Sequence, residues 1–136
     1  MDFYLVSCVG KKCDRAMPAK DLYVSEWFLK ARDYVERHAD VWFILSARFG
    51  LVKPEQIIEP YEQTLNSMSI GERRAWAHQV RAQMEAQLPV QGRCVVLAGS
   101  RYREFLMEYL SSRFTTEIPM ERLAIGKQLQ WLGANR

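Results

Sequence analysis

The sequence predicts an α/β domain: a three-layer α/β/α sandwich around a mostly parallel sheet of about four strands. Two observations carry this expectation. The chain holds three short, unbroken apolar runs: Phe3-Tyr4-Leu5-Val6, Val41-Trp42-Phe43-Ile44-Leu45 and Cys94-Val95-Val96-Leu97-Ala98. Such runs fit strands buried on both faces, as in a parallel sheet covered by helices. Between the runs lie stretches of helical periodicity, which right-handed crossovers place over the sheet. No repeat, low-complexity segment or linker interrupts the 136 residues, so one domain over residues 1–136 with one core is expected.

In chain order, the first run ends in Ser7-Cys8-Val9-Gly10, a turn, followed by the basic loop Lys11-Lys12 with Asp14 and Arg15. Ser25 can cap the next helix, with Glu26 favourably placed in its first turn. Trp27, Phe28, Ala31, Tyr34, Val35 and His38 then recur at helical spacing, as one face against the sheet. The run over residues 41–45 is read as the central strand, flanked by strands over residues 3–8 and 94–98. It empties into a long polar loop carrying Pro54, Glu55, Glu59, Pro60 and Tyr61, pinned by Leu51, Val52, Ile57, Ile58 and Leu65. Ser69 and Glu72 match a capping box, and Trp76, Val80, Met84 and Leu88 continue from it as the apolar line of a long helix. Arg73, Arg74 and Arg81 fall elsewhere on that helix and read as a solvated face.

The third run is followed at once by Gly99-Ser100-Arg101, read as a glycine and a serine cap opening a helix, whose inward face is Phe105, Leu106, Tyr109, Leu110 and Phe114. Thr115–Ile118 is a weak fourth strand ended by Pro119, and residues 123–132 form a short terminal helix with Trp131 and Leu132 packed inward.

Net charge is only +3, so the position of the basic residues matters more than their sum. No apolar stretch approaches the ~20 residues that span a bilayer, and MDFYLVSCVG reads as a strand rather than a signal peptide. Cys8, Cys13 and Cys94 are odd in number, and with His38 and His78 they make no zinc spacing. Two of them fall in buried strands, where a reduced thiol behaves as a small apolar group, so a cytoplasmic protein without metal or cofactor is expected.

A parallel sheet gathers its strand C-terminal ends on one edge, where open α/β folds bind ligands. That edge would bring Lys11, Lys12, Arg48 and Arg101 together as four cations, with Ser7, Ser46 and Ser100 as hydrogen-bonding groups. An anionic ligand such as a phosphate or nucleotide follows from that set. Glu59 or Asp14 would supply a carboxylate able to stabilise an oxocarbenium-like state or orient water, and Tyr61 would stack on a base.

The succession Val6-Ser7-Cys8-Val9-Gly10-Lys11-Lys12, Ala19-Lys20-Asp21-Leu22-Tyr23-Val24-Ser25, Leu45-Ser46-Ala47-Arg48-Phe49-Gly50-Leu51-Val52, Glu59-Pro60-Tyr61-Glu62-Gln63-Thr64-Leu65 and Ile125-Gly126-Lys127-Gln128-Leu129 resembles a bacterial family of small uncharacterised domains. The resemblance covers nearly the whole chain. Its LSA-x-x-GLV…EPY element is also similar, more distantly, to one in YaaA-type peroxide-stress proteins and the middle domain of archaeosine synthases. That wider group resembles the uracil-DNA-glycosylase fold. After its first strand this chain carries Cys8-Val9-Gly10-Lys11-Lys12 where true uracil-DNA glycosylases carry Gly-Gln-Asp-Pro. The resemblance therefore implies nucleobase, nucleotide or nucleic-acid chemistry rather than uracil excision as such. Three readings stand at this stage: an N-glycosidase or base-exchange enzyme acting on modified bases, a non-catalytic nucleic-acid or nucleotide-binding module, and a nucleotide sensor acting through a partner.

Overall fold

The computed structural model describes residues 1–8 and 10–136; Val9, expected in the turn after the first strand, lies outside the described residues. The elements run β1 (Asp2–Ser7), β2 (Met17–Pro18), α1 (Ala19–Leu22), α2 (Glu26–His38), β3 (Val41–Ser46), β4 (Gly50–Val52) and β5 (Ile57–Ile58). After a 3-10 turn at Leu65–Ser67 come α3 (Ile70–Gln87), β6 (Arg93–Leu97), α4 (Ser100–Arg103), α5 (Met107–Arg113), β7 (Thr115–Glu117) and α6 (Ile125–Ala134). The main sheet has five strands in the order β4-β3-β1-β6-β7, parallel except for β4, and β2 and β5 form a small antiparallel ribbon. The expected fold class stands, with one more strand than the sequence announced.

Two details of the sheet differ from expectation. The strand at its centre is β1, with β3 and β6 on either side. Both apolar runs are equally suited to burial on two faces, so composition did not say which would lie in the middle. The segment read as loop directly after β3 instead turns back and pairs antiparallel, Leu45 opposite Leu51 and Ile44 opposite Val52. Gly50 makes the return, at φ +75°. A Cβ added there would collide with the Gln83 side chain, which accepts from Leu51 N–H at 2.8 Å and donates to the Phe49 carbonyl at 3.1 Å. Gly50→Ala should therefore cost more than the ~1–2 kcal/mol of a left-handed non-glycine residue, because it also displaces two bonds that tie the hairpin to α3. Denaturant unfolding measures this, and a loss below about 0.5 kcal/mol would show that Gln83 moves aside freely.

The side of each helix follows from the strand order. The β1–β3 crossover runs one way across the sheet and the β3–β6 and β6–β7 crossovers run the other, so right-handedness puts α2 on one face and α3, α4 and α5 on the other. Adjacent side chains on β1 confirm it: Tyr4 meets Tyr34 of α2, whereas Phe3 meets Phe114 after α5 at 4.8 Å. Tyr34 in turn packs on Trp131, which places α6 beside α2. Burial pushes the Tyr34 phenol up to about 12 and the Cys94 thiol likewise to about 12, so both stay neutral at ordinary pH.

The caps were legible. Ser25 Oγ accepts from Phe28 N–H at 3.2 Å, and the Ser69–Glu72 capping box is complete. The Glu72 carboxylate is held below its usual range by the Ser69 backbone N–H, which it accepts at 2.8 Å. A folded-state value below the unfolded one means stability present above the unfolded pKa of ~4.3 and lost as pH falls through the folded value. Glu72→Gln should therefore flatten that part of the acid limb in melts recorded at stepped pH; an unaltered limb would remove Glu72 from the account. Arg73 departs from the solvated face expected of it: it is buried, paired with Glu104 and bonded to the Met68 carbonyl at 2.6 Å. The helix expected after Gly99 is in fact two short ones, α4 and α5, and its N-cap is Gly99, with no side-chain cap from Ser100.

Candidate functional site

The C-terminal ends of β1, β3, β6 and β7 share one edge, and the order of the chain reverses between β1 and β6. Crevices in open α/β sheets open at such reversals. Here Tyr102 spans the reversal, its hydroxyl donating to the Cys8 carbonyl at 3.1 Å. Two hollows lie along the edge, and they share no lining residue.

The first, about 570 Å³, is lined by Gly10, Lys12, Cys13, Pro60, Tyr61 and Glu62. Its floor rests on a buried polar network centred on Tyr61, whose hydroxyl accepts from Ser46 Oγ at 2.8 Å. The same oxygen lies 2.7 Å from the Tyr23 hydroxyl and 3.1 Å from Cys8 Sγ. Ser46 is held by Phe49 N–H at 3.0 Å, and the Cys8 thiol donates to the Leu45 carbonyl at 3.1 Å. The protons can be followed through the set: Ser46 gives its proton to Tyr61 and Cys8 gives its own to the Leu45 carbonyl, which leaves Tyr23 to donate to Tyr61 and Tyr61 to donate to Cys8 Sγ. Every member is satisfied, the condition for a buried polar cluster to rigidify rather than destabilise. Burial raises both phenols far above their ordinary value, so neither can act as a base near neutrality.

Lys12 lines the first hollow and covers the Tyr61 ring. Its Nζ lies 4.6 Å from the Tyr61 ring centroid and 5.7 Å from that of Tyr23, within cation–π reach. The backbone fixes its place, through the bridge between Lys12 and Tyr23 and the bonds Cys13 N–H to Leu22 O and Val24 N–H to Lys11 O, each 2.8 Å. Phe49 meets Tyr61 edge-on at 5.7 Å, and the Arg48 guanidinium lies 5.2 Å from the Phe49 ring.

Of the residues expected at one cleft, the structure thus gathers Lys12, Ser46 and Tyr61, with Arg48 alongside. Tyr61 is only 7% exposed, and Lys12 lies over its ring. Ser7 is buried and on the face opposite Cys8, with no hydrogen-bond partner for Oγ among the described residues. Lys11 is exposed, and Arg101 is exposed with Glu104 at 4.0 Å. Glu59 is exposed and does not line the first hollow; Asp14 is 96% exposed beside Arg15. Ser100 belongs to the other hollow. Sequence reasoning passed over Tyr23, Cys8 as a hydrogen-bonding group, and Glu62, the carboxylate that does line the first hollow.

The second hollow, about 440 Å³, opens beyond the end of β6, between α4 and the segment from Ile118 to Ala124, with Trp27 of α2 and Gln128 of α6 also on its wall. Trp27, Val96 and Met120 supply apolar wall, and Arg103, Arg122 and Gln128 supply polar wall. Gln128 accepts from the Trp27 indole N–H and donates to the Leu123 carbonyl, both at 2.8 Å.

Fold and edge together define an α/β domain with ligand-sized hollows at the C-terminal ends of the parallel strands of its main sheet. The chain belongs to the family of unknown function DUF6884, whose model matches residues 3–134. No curated protein and no solved structure matches it. No helix among the described residues is long and apolar enough to cross a membrane.

Proposed function

We propose that this domain acts on a nucleobase-containing ligand, a nucleotide, modified nucleoside or nucleic acid, held at the hollow over Tyr61. The observation that carries the reading is Lys12 poised over the Tyr61 ring, with the hydroxyl beneath locked by Ser46, Tyr23 and Cys8. The Tyr61 ring lies buried under Lys12 and offers no face for stacking, so Lys12 would take the phosphate and the base would lie in the hollow beside it. The distant likeness to YaaA-type proteins, archaeosine synthases and the uracil-DNA-glycosylase fold is part of the same proposal. Its support is local: the LSA-x-x-GLV…EPY element contributes Ser46 and Tyr61, which bond to one another at 2.8 Å.

The activity proposed is N-glycoside cleavage or base exchange. The C1′–N bond breaks with its electron pair leaving on the base nitrogen, and water, or an incoming base, bonds to C1′. The proton released by the nucleophile ends on the departing base. The carboxylates to carry that proton or orient the water are Glu59, Asp14 and Glu62, of which Glu62 lines the hollow. A non-catalytic binding module is the second reading, favoured by the solvent-exposed positions of Glu59 and Asp14 outside the hollow.

Titration with nucleoside monophosphates and short oligonucleotides tests the site. Lys12→Ala should fold as the parent does and bind roughly 10–100-fold more weakly, the worth of one charge-assisted contact. Unchanged affinity sinks the site. Base release from a panel of modified nucleosides and oligonucleotides separates the readings: Glu59→Gln or Glu62→Gln should lower it by on the order of 10²–10⁴-fold in an enzyme, and a parent that releases no base makes the domain a binder.

A further inference from the structure

The second hollow carries a proposal of its own. It is preformed: Gln128 clamps Trp27 on one side and the Leu123 carbonyl on the other, each at 2.8 Å, and Trp27 and Met120 are almost wholly buried behind it. At about 440 Å³ it falls within the range of small-molecule sites. Its chemistry is divided, with an indole, a thioether and Val96 on the inner wall and two guanidinium groups, Arg103 and Arg122, among its polar residues.

The two arginines keep donors to spare. Arg103 uses Nε to hold the Ala98 carbonyl at 2.9 Å and lies 3.6 Å from the half-exposed Glu121, which leaves donors of its fork uncommitted. Arg122 takes part in none of the ion pairs found among the described residues. It also sits at φ +71°, the one non-glycine residue with positive φ among those described. A glycine would make that turn without strain, whereas a side chain there costs free energy. Strained residues of this kind cluster at ligand clamps, and the inference runs from the outlier to the task.

We propose that this hollow is a second ligand site, separate from that over Tyr61, for a small aromatic phosphate monoester. The flat body would lie against Trp27 and Met120, and the phosphate would be held by Arg103 and Arg122, with the Ser100 hydroxyl on the same lining. Donors from three residues suit the three oxygens of a phosphate better than the two of a carboxylate.

The test uses phenyl phosphate, benzoate and inorganic phosphate, titrated into the parent and three variants by calorimetry, with the Trp27 indole N–H followed by NMR. Phenyl phosphate should bind saturably and shift the Trp27 signal. Arg122→Gly should weaken it at least about tenfold while melting at or above the parent temperature, a pairing that a structural role for Arg122 would not produce. Arg103→Lys, which keeps the charge but loses the fork, should weaken binding as well. Lys12→Ala should leave it unchanged, so this site and the one over Tyr61 fail or stand separately. The proposal is overturned if phenyl phosphate does not saturate, if Arg122→Gly binds like the parent, or if Lys12→Ala abolishes binding. Benzoate binding as tightly overturns the phosphate head, and inorganic phosphate binding as tightly overturns the aromatic body.

Discussion

Tyr61→Ala is expected to lower the unfolding free energy by about 3–5 kcal/mol, the range for deleting a large buried aromatic side chain. The ring is buried against Tyr23 and Phe49, and its hydroxyl is the common partner of Ser46, Tyr23 and Cys8. Tyr61→Phe isolates the second contribution. It keeps the ring and leaves the Ser46 hydroxyl without its acceptor, for which about 1–3 kcal/mol is expected. Denaturant unfolding of the three proteins measures both steps. A Tyr61→Phe variant as stable as the parent would mean that Ser46, Tyr23 and Cys8 repartner without the Tyr61 hydroxyl. The network would then be incidental to the floor of the hollow.

The second large effect is expected where α3 meets the end of α4. Arg73 of α3 reaches Glu104, at the end of α4, with its side chain 9% exposed against 30% for the carboxylate. Removing one partner of a buried pair costs about 3–5 kcal/mol because the other is left uncompensated. The burden is unequal here. Glu104→Ala strands a guanidinium that water barely reaches, leaving it the Met68 carbonyl, and should cost about 3 kcal/mol. Arg73→Met leaves a carboxylate that can rehydrate and puts an apolar side chain in the space, so it should cost less. The same unfolding series reads the order, and the reverse order would show that Arg73 acts through packing rather than charge.

That pair also shows where a sequence stops being readable. Arg73 precedes Trp76, Val80 and Met84 by three, seven and eleven residues, so helical periodicity puts it in line with them; it read as solvated only because it is an arginine. What no local pattern encodes is the partner that lets a guanidinium sit on that face, Glu104 at the end of α4. The three buried strands and the two long capped helices were legible for the converse reason: their signals are local, being unbroken apolar runs and a serine placed three residues before an amide it caps. The hairpin at Gly50 was not, since a strand of three residues leaves no periodicity to detect. At the site, Ser46 and Tyr61 could be named from their place after a buried strand. Cys8 reads as one more apolar residue, and Tyr23 sits in a segment too irregular to assign a facing. Only the fold shows that both meet the Tyr61 hydroxyl.

The two outermost strands of the sheet, β4 and β7, are each three residues long. Each is followed after a single residue by a proline, Pro54 beyond Lys53 and Pro119 beyond Ile118. On β4 the Leu51 N–H that does not serve the sheet is taken by Gln83 of α3. An open sheet is vulnerable at its margins, where unpaired amides can template another chain, and short strands, prolines and covering side chains are the usual protections. Both margins of this sheet are blunted, so another polypeptide finds almost no backbone to zip against. The two hollows over Tyr61 and beside Trp27 lie away from these margins, at the strand ends.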